Sequence, residues 1–300
     1  MTPLGHLDRA VPVDPPSRPA LRWHGGKWLL APWIIQQFAP HRVYVEPFGG
    51  AASVLVRKPR AYAEVYNDLD SEVVTLFRVL QHPAGTARLL AMLEVTPYSR
   101  DEFELAYEVA TDPIEIARRL IIRSFMGFGS TAFNSAVKTG FRADSNKLGT
   151  TPAHDWVSYP DGLRAIARRF AGVVIEQRPA IKVMVAHDSP DTLHYVDPPY
   201  LPETRSAKSR RGGERYHCYR HELTAADHVE LLAALRELRG MVILSGYPAP
   251  LYDAALPGWR RIERAALADG ARDRIEVLWM NPAAAAASDH RSVPLLAGLA

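Results

Sequence analysis

Cysteine is nearly absent: Cys218 stands alone among 300 residues. That excludes a disulfide framework and any multi-cysteine zinc site, and it makes a reducing compartment the default. No run approaches the roughly 20 uncharged apolar residues that span a bilayer, and the N-terminus lacks the apolar stretch of a secretion signal, so no membrane association is expected. Charge of one sign is lacking too. The 36 basic and 33 acidic side chains leave a net +3, so a polyanion would have to meet a local patch. The 11 histidines show no ligand pattern: His217 and His221 are four apart near Cys218, without a carboxylate frame, and no metal is expected. No internal repeat is visible. What remains, 47% hydrophobic and 23% charged, is ordinary globular composition, long enough to bury a core without staples.

Five prolines within residues 1–20 and little apolar periodicity predict a loosely docked arm there, and the alanine run Ala283–Ala287 with the tail after it reads as peripheral. Between them, short β-branched or aromatic runs alternate with amphipathic patterns, as in a parallel sheet with crossover helices. Expected strands are Val43–Glu46, Ala63–Asn67, Val173–Glu176, Leu193–Asp197 and Met241–Ser245. Thr224 with Asp227 forms an approximate capping box that starts a helix stopped by Gly240, and a further helix around Leu163, Ile166 and Phe170 ends near Gly172. Arg274–Met280 alternates Ile275, Val277 and Trp279 with other residues and is expected as an antiparallel edge strand. About a hundred residues separate the second strand from the third, too many for a simple crossover, so residues 71–170 are expected to form an inserted helical subdomain.

Three motifs carry chemistry. Glu46-Pro47-Phe48-Gly49-Gly50 turns a strand into a helix; glycines there let a ligand approach the backbone, and the helix start offers N–H groups. The alternative is a tight turn with no ligand. Some twenty residues on, Asn67-Asp68-Leu69-Asp70 places acids at the end of the second strand, where a carboxylate can accept from ribose hydroxyls or simply cap the next helix. Together the turn and the acid point to an adenosine-bearing cofactor. Asp197-Pro198-Pro199-Tyr200 follows a buried strand; consecutive prolines fix the backbone and hold the Asp197 carboxyl and nearby carbonyls rigidly. Such acceptors can take both N–H bonds of an exocyclic nucleobase amine, favouring a pyramidal nitrogen, while Tyr200 stacks on the ring.

The order of these motifs resembles the Dam-type DNA adenine N6-methyltransferases over roughly residues 21–281. Trp23 and Lys27, in Arg22-Trp23-His24-Gly25-Gly26-Lys27, resemble the N-terminal methyl-donor motif; Glu46 to Gly50 resemble the glycine-rich cofactor motif. Asp68 resembles the ribose-binding acid, Asp188 in His187-Asp188 the acid meeting the cofactor adenine, and Asp197, Pro198, Pro199 and Tyr200 the catalytic motif. The resemblance implies an α/β fold: a Rossmann-like seven-stranded methyltransferase sheet with an inserted, mainly helical target-recognition subdomain. Residues 21–70 and 171–281 would form the catalytic domain, 71–170 the target-recognition subdomain, 1–20 the arm and 282–300 the tail. It also implies S-adenosyl-L-methionine as cofactor, double-stranded DNA as substrate, a cytoplasmic setting in a bacterium or phage-infected host, and the kind of enzyme that has a cognate restriction endonuclease as partner. Gly246 stands in Ser245-Gly246-Tyr247 where the family often has Asn.

Other residues are weighed beside these. Trp23 and Lys27 could instead belong to a basic, aromatic cap on the helix beginning near Trp28; in a donor site, Lys27 would pair with an acid or reach a DNA phosphate. The stretch Leu201–Arg220, with Arg205, Lys208, Arg210, Arg211, Arg215 and Arg220, reads as a lid over phosphate rather than a solvated charge run. Arg142, Asn146 and Lys147 in the insertion are candidates for reading base edges. A cytosine N4-methyltransferase, which more often carries Ser in place of Asp197, and a nucleic-acid-binding module without catalysis are the competing readings. The recognised bases and the oligomeric state are not legible.

Overall fold

Val43–Glu46 (β1) and Ala63–Asn67 (β2) form where their apolar runs predict. In this computed structural model, which describes residues 16–129, 133–136, 138–144, 149–204, 219–268 and 272–291, they are joined by Val174–Glu176 (β3), Thr192–Val196 (β4), Met241–Gly246 (β5), Arg260–Ala268 (β6) and Arg272–Met280 (β7). The seven-stranded order is β3-β2-β1-β4-β5-β7-β6. The first five strands run parallel, with Val45 opposite both Val65 and His194. β7 is antiparallel to β5 and to β6. β7 is therefore interior, not the expected edge; β6 is the edge, and the sequence reading had no strand there. The difference shows in burial: Ile275 is exposed, whereas Glu276, Val277, Leu278 and Trp279 are all buried, so alternation stops where the strand enters the sheet.

The helices are α1 (Ala31–Gln36), α2 (Ser53–Arg57), α3 (Ser71–Gln81), α4 (Pro83–Val95), α5 (Arg100–Leu105), α6 (Pro113–Met126), α7 (Pro152–Val157), α8 (Tyr159–Phe170), α9 (Ala180–Ala186), α10 (Ala225–Glu237), α11 (Pro250–Ala255) and α12 (Pro282–Arg291). Successive strand residues face opposite layers. Tyr44, Tyr66, Tyr195 and Ile243 join the core shared with α1 to α8. Val196, Val242 and Leu244 pack with Leu231, Leu232 and Leu235 of α10 and Tyr252 of α11, while Val45 and Val65 meet Val183 of α9. α10 begins with the predicted capping box, Thr224 Oγ1 receiving the Asp227 N–H and Asp227 receiving the Thr224 N–H. No helix among the described residues is long and apolar enough to cross a membrane.

Residues 71–170 do contribute the helices α3 to α8, but Val73, Phe77, Leu120 and Phe170 lie in one continuous core with Tyr44 and Tyr66 of the sheet. Two peripheral assignments change. Residues 16–20 are docked: Ala20 is fully buried, its carbonyl accepts from the Tyr159 hydroxyl at 2.6 Å, and the Arg18 guanidinium lies 5.1 Å from the Tyr159 ring centre. The start of the tail is α12, whose Ala284 is buried, and Asn281 before it receives the Val242 N–H at 3.0 Å.

Candidate active site

The strand order reverses between β1 and β4, so loops leaving their carboxyl ends diverge and open a crevice between them. A cavity of about 460 Å³ lies there, lined by the Trp23–Lys27 loop, the turn after β1, Asp68 to Asp70 after β2, Asp197 to Tyr200 after β4, and Phe133 from the insertion. Its size suits a cofactor-sized molecule.

Gly50 adopts φ +45° and Ala52 φ +54°, which folds the turn sharply into α2. A Cβ on Gly50 would sit 2.6 Å from the Trp23 indole nitrogen, and one on Gly49 would overlap the Tyr66 ring. Glycine is required here because two aromatic walls press on the turn, a packing reason beside the ligand-approach reason read from sequence. The N–H groups are committed as well: Gly49 donates to the Asn67 carbonyl and Gly50 to Asp68 Oδ2, each at 2.8 Å. The turn is thus locked to the end of β2 and does not present these two amides to a ligand. Asp68 Oδ1 receives the Asp70 N–H at 2.8 Å. Burial raises the Asp68 carboxyl to about 6, against the pull of these two backbone donors.

Asp197 leaves the fully buried strand β4 at the cavity rim, its side chain 17% exposed. Ser245 Oγ, at the end of β5, donates to its Oδ1 at 2.8 Å, and Lys27 Nζ lies 3.0 Å from its Oδ2. Lys27 also donates to the Gly25 carbonyl at 2.7 Å, lies 3.8 Å from Glu276 Oε1, and sits 4.8 Å from the centre of the Tyr200 ring. Burial pulls the Lys27 ammonium down, and Asp197 and Glu276 more than reverse this, leaving it above its ordinary value. Of the two roles read for Lys27, the structure shows pairing with an acid; at 5% exposure it does not reach outward toward phosphate. The Tyr200 hydroxyl donates to Glu276, and its ring meets Tyr247 edge-on at 4.7 Å.

Acids crowd this end of the sheet. Glu46, fully enclosed at the end of β1, is raised to about 8 by burial, with the Tyr44 hydroxyl hydrogen bond opposing and Asp197 adding to the rise. Glu276 is raised to about 7 by burial, with Lys27 opposing and Asp197 reinforcing. Trp23 stacks on Phe133 with ring centres 3.7 Å apart, which brings the insertion to the cavity wall. Tyr219 donates to the His24 carbonyl at 3.0 Å, and Arg220 reaches both Asp70 at 3.3 Å and Ser135 at 2.9 Å.

A family model for the D12 class N6 adenine-specific DNA methyltransferases matches residues 23–247. The chain belongs to that family. It is an enzyme that methylates adenine N6 in DNA, and methyltransferases of this kind in general take their methyl group from S-adenosylmethionine. No curated protein matches the chain.

In this methyltransferase Trp23, Lys27, Glu46, Pro47, Phe48, Gly49, Gly50 and Asp68 all line the cavity, as do Asp197, Pro198, Pro199 and Tyr200. Asp188 does not. It precedes β4, at the amino end of the sheet, where its carboxyl receives the Arg239 N–H at 2.8 Å and the Gly240 N–H at 2.9 Å and lies 3.2 Å from His194 Nε2. The expectation that it meets the cofactor is corrected: it staples the loops entering β4 and β5. Past β3, Ala180 lines the cavity, and the Arg178 backbone before it is held by both ends of the Asn67 amide.

Arg220, read as part of a phosphate-facing run, pairs with Asp70 and Glu72. Arg142 follows Phe141, which forms an isolated antiparallel bridge with Gly127; its N–H donates to the Met126 carbonyl and its carbonyl accepts from the Tyr98 hydroxyl. Asn146, Lys147, Arg205, Arg210 and Arg211 lie outside the described residues. Ser245 and Glu276 escaped the sequence reading. Ser245 had a signal, a hydroxyl at the end of an apolar strand; Glu276 had a weaker one, an acid inside the apolar run 275–280 of the closing strand. Gly246 is explained by packing, since a Cβ there would approach Trp279 at 3.3 Å and Tyr252 at 3.4 Å.

Proposed function

We propose that the cavity holds S-adenosylmethionine and that Asp197, with the Pro198 carbonyl, accepts the N–H bonds of the N6 amine of an adenine flipped from double-stranded DNA. When bound, the donor supplies an electrophilic methyl group on a cationic sulfonium. The lining fits a cationic ligand: Asp68, Asp70, Asp197, Glu222 and Asp227 outnumber Lys27 and Arg220, while burial favours the protonated form of Glu46. Asp68 holds the donor's ribose, since each carboxyl oxygen has accepted only one backbone hydrogen bond and keeps a further lone-pair site. Trp23, braced on Phe133, gives the cavity a flat wall, and Glu46 to Gly50 form its floor.

The observation that carries this reading is the clamp on Asp197. Ser245 and Lys27 fix one oxygen each, so the carboxyl cannot rotate and its remaining lone pairs point from a fixed frame. Hydrogen bonds from N6 to such acceptors draw the amine lone pair out of conjugation and aim it at the methyl group, a preorganised electrostatic effect that needs no rearrangement during reaction. Tyr200, tethered through its hydroxyl, offers its ring for stacking. The proton released from N6 leaves by way of the Asp197 side of the site. Arg142 and the insertion loop around it contact the DNA.

Transfer of labelled methyl to DNA followed by nucleoside analysis tests this. The wild-type protein yields N6-methyladenine, and Asp197→Ala yields none while still binding S-adenosylhomocysteine by calorimetry. Methylation by Asp197→Ala at the wild-type rate would overturn the assignment.

A further inference from the structure

Glu276 lies on β7, beyond the segment that the family model covers. It is 3% exposed, within a stretch of otherwise apolar neighbours, Val277 to Met280. Burying a carboxyl is costly unless it is paired, so its partners indicate what it is there to hold. They belong to the catalytic turn and its lysine: Glu276 Oε1 accepts the Tyr200 hydroxyl and lies 3.8 Å from Lys27 Nζ.

We propose that Glu276 is a positioning residue for methyl transfer, one carboxyl on β7 that sets both Lys27, which holds Asp197, and Tyr200, on which the base stacks. The inference rests on the roles proposed above for Asp197 and Tyr200. The Lys27 ammonium lies within hydrogen-bond reach of the Gly25 carbonyl at 2.7 Å and Asp197 Oδ2 at 3.0 Å, and pairs electrostatically with Glu276 Oε1 at 3.8 Å. The two acids therefore share one cation. Removing the charge of Glu276 leaves Lys27 to pull on Asp197 alone, which makes Asp197 a weaker acceptor for N6. It also weakens the acceptor that fixes the Tyr200 ring over which Lys27 sits.

The groups facing Glu276 are Lys27 from the N-terminal loop, Asp197 and Tyr200 after β4, Tyr195 within β4, Tyr247 after β5, and Arg264, its cross-strand neighbour on β6. Because burial places Glu276 at about 7, its protonation falls inside the assay range. Turnover declines as pH falls through that value, when the shared pairing with Lys27 is lost.

Glu276→Gln keeps the shape and an acceptor for Tyr200 but not the charge; Glu276→Ala removes both. Single-turnover methylation of DNA is measured for each across pH 5.5–8.5, with S-adenosylhomocysteine affinity by calorimetry as the check on the donor site. The expected result is a loss in the methylation rate of about tenfold for Glu276→Gln and about a hundredfold for Glu276→Ala. Donor affinity stays unchanged, and the acid limb near pH 7 disappears in Glu276→Gln. Should Glu276→Ala fail to fold, Glu276→Gln decides alone. A wild-type rate and an unaltered pH profile in Glu276→Gln overturn the inference. Asp197→Asn, run in parallel, separates the two claims: if it is inactive while Glu276→Gln behaves as wild type, only the role of Glu276 fails; if it is active, the reading beneath it fails.

Discussion

Strand β4 carries an aspartate beyond each end, and the two behave oppositely. Asp188, before the strand, receives two backbone N–H groups and faces His194; despite the opposing effect of burial, these donors hold its carboxyl below the ordinary range. Asp197, after the strand, is held among the described residues by the side chains of Ser245 and Lys27, and stands among Glu46 and Glu276, both raised by burial. A carboxyl satisfied by backbone amides has its lone pairs committed to fold geometry. One clamped by side chains at a cavity rim, amid acids that resist ionising, is arranged for work on a ligand. The family resemblance places both acids in the site, His187-Asp188 as the acid meeting the cofactor adenine and Asp197 in the catalytic motif; only the third dimension separates the two ends of β4.

That contrast can be broken at either end. The largest effect is expected at the carboxyl end: Asp197→Asn lowers the methyl-transfer rate by about 10³-fold, measured in single turnover, with folding stability changed little. Next, Gly49→Ala drives a methyl group into the Tyr66 ring and costs about 3 kcal/mol in chemical denaturation, because β2 and the turn must part. Asp188→Ala costs about 2 kcal/mol of stability, since two backbone N–H groups lose a charged acceptor, yet the rate per folded molecule stays at the wild-type value. A catalytic defect in the folded Asp188 variant would erase the contrast.

An effect that builds gradually with pH sharpens it. Glu46 has a carboxyl at about 8 in the folded chain against an ordinary 4.5, so folding takes up a proton between those values. Its contribution to stability is present in full below pH 4.5 and is lost as pH rises through 8. Glu46→Gln removes that dependence, and its stability relative to wild type should grow by about 1 kcal/mol per pH unit across the window in denaturation at fixed salt. A constant difference across the window would contradict the burial argument.

The strands β1 and β2 were legible to the residue because their valine and tyrosine favour a strand and no helical period competes, even though buried Glu46, Glu64 and Asn67 interrupt the apolar run. The α10 cap was legible because Thr224 and Asp227 are three residues apart, a local rule with a local cause. β6 was not: Arg260–Ala268 mixes arginine, alanine and leucine, which favour helix, and only pairing along its whole length with β7 makes it a strand. In the site, Asp197, Tyr200 and Asp68 could be read because each sits in a contiguous motif. Ser245 and Glu276 sit in no such motif, and their weak local signals do not name their partners: they reach Asp197 and Tyr200 from 48 and 76 residues away and only the sheet order brings them there. Lys27 was read as a pairing or phosphate residue, and the choice fell to burial, which no spacing rule encodes.

A crystal structure of the Asp197→Asn variant with S-adenosylhomocysteine and a target duplex tests the central claim most directly. The account predicts adenine N6 within about 3 Å of position 197 and of the Pro198 carbonyl, its ring against Tyr200 and the donor sulfur on the opposite side. An adenine left in the helix, or one bound with N6 turned away from residue 197, would contradict it.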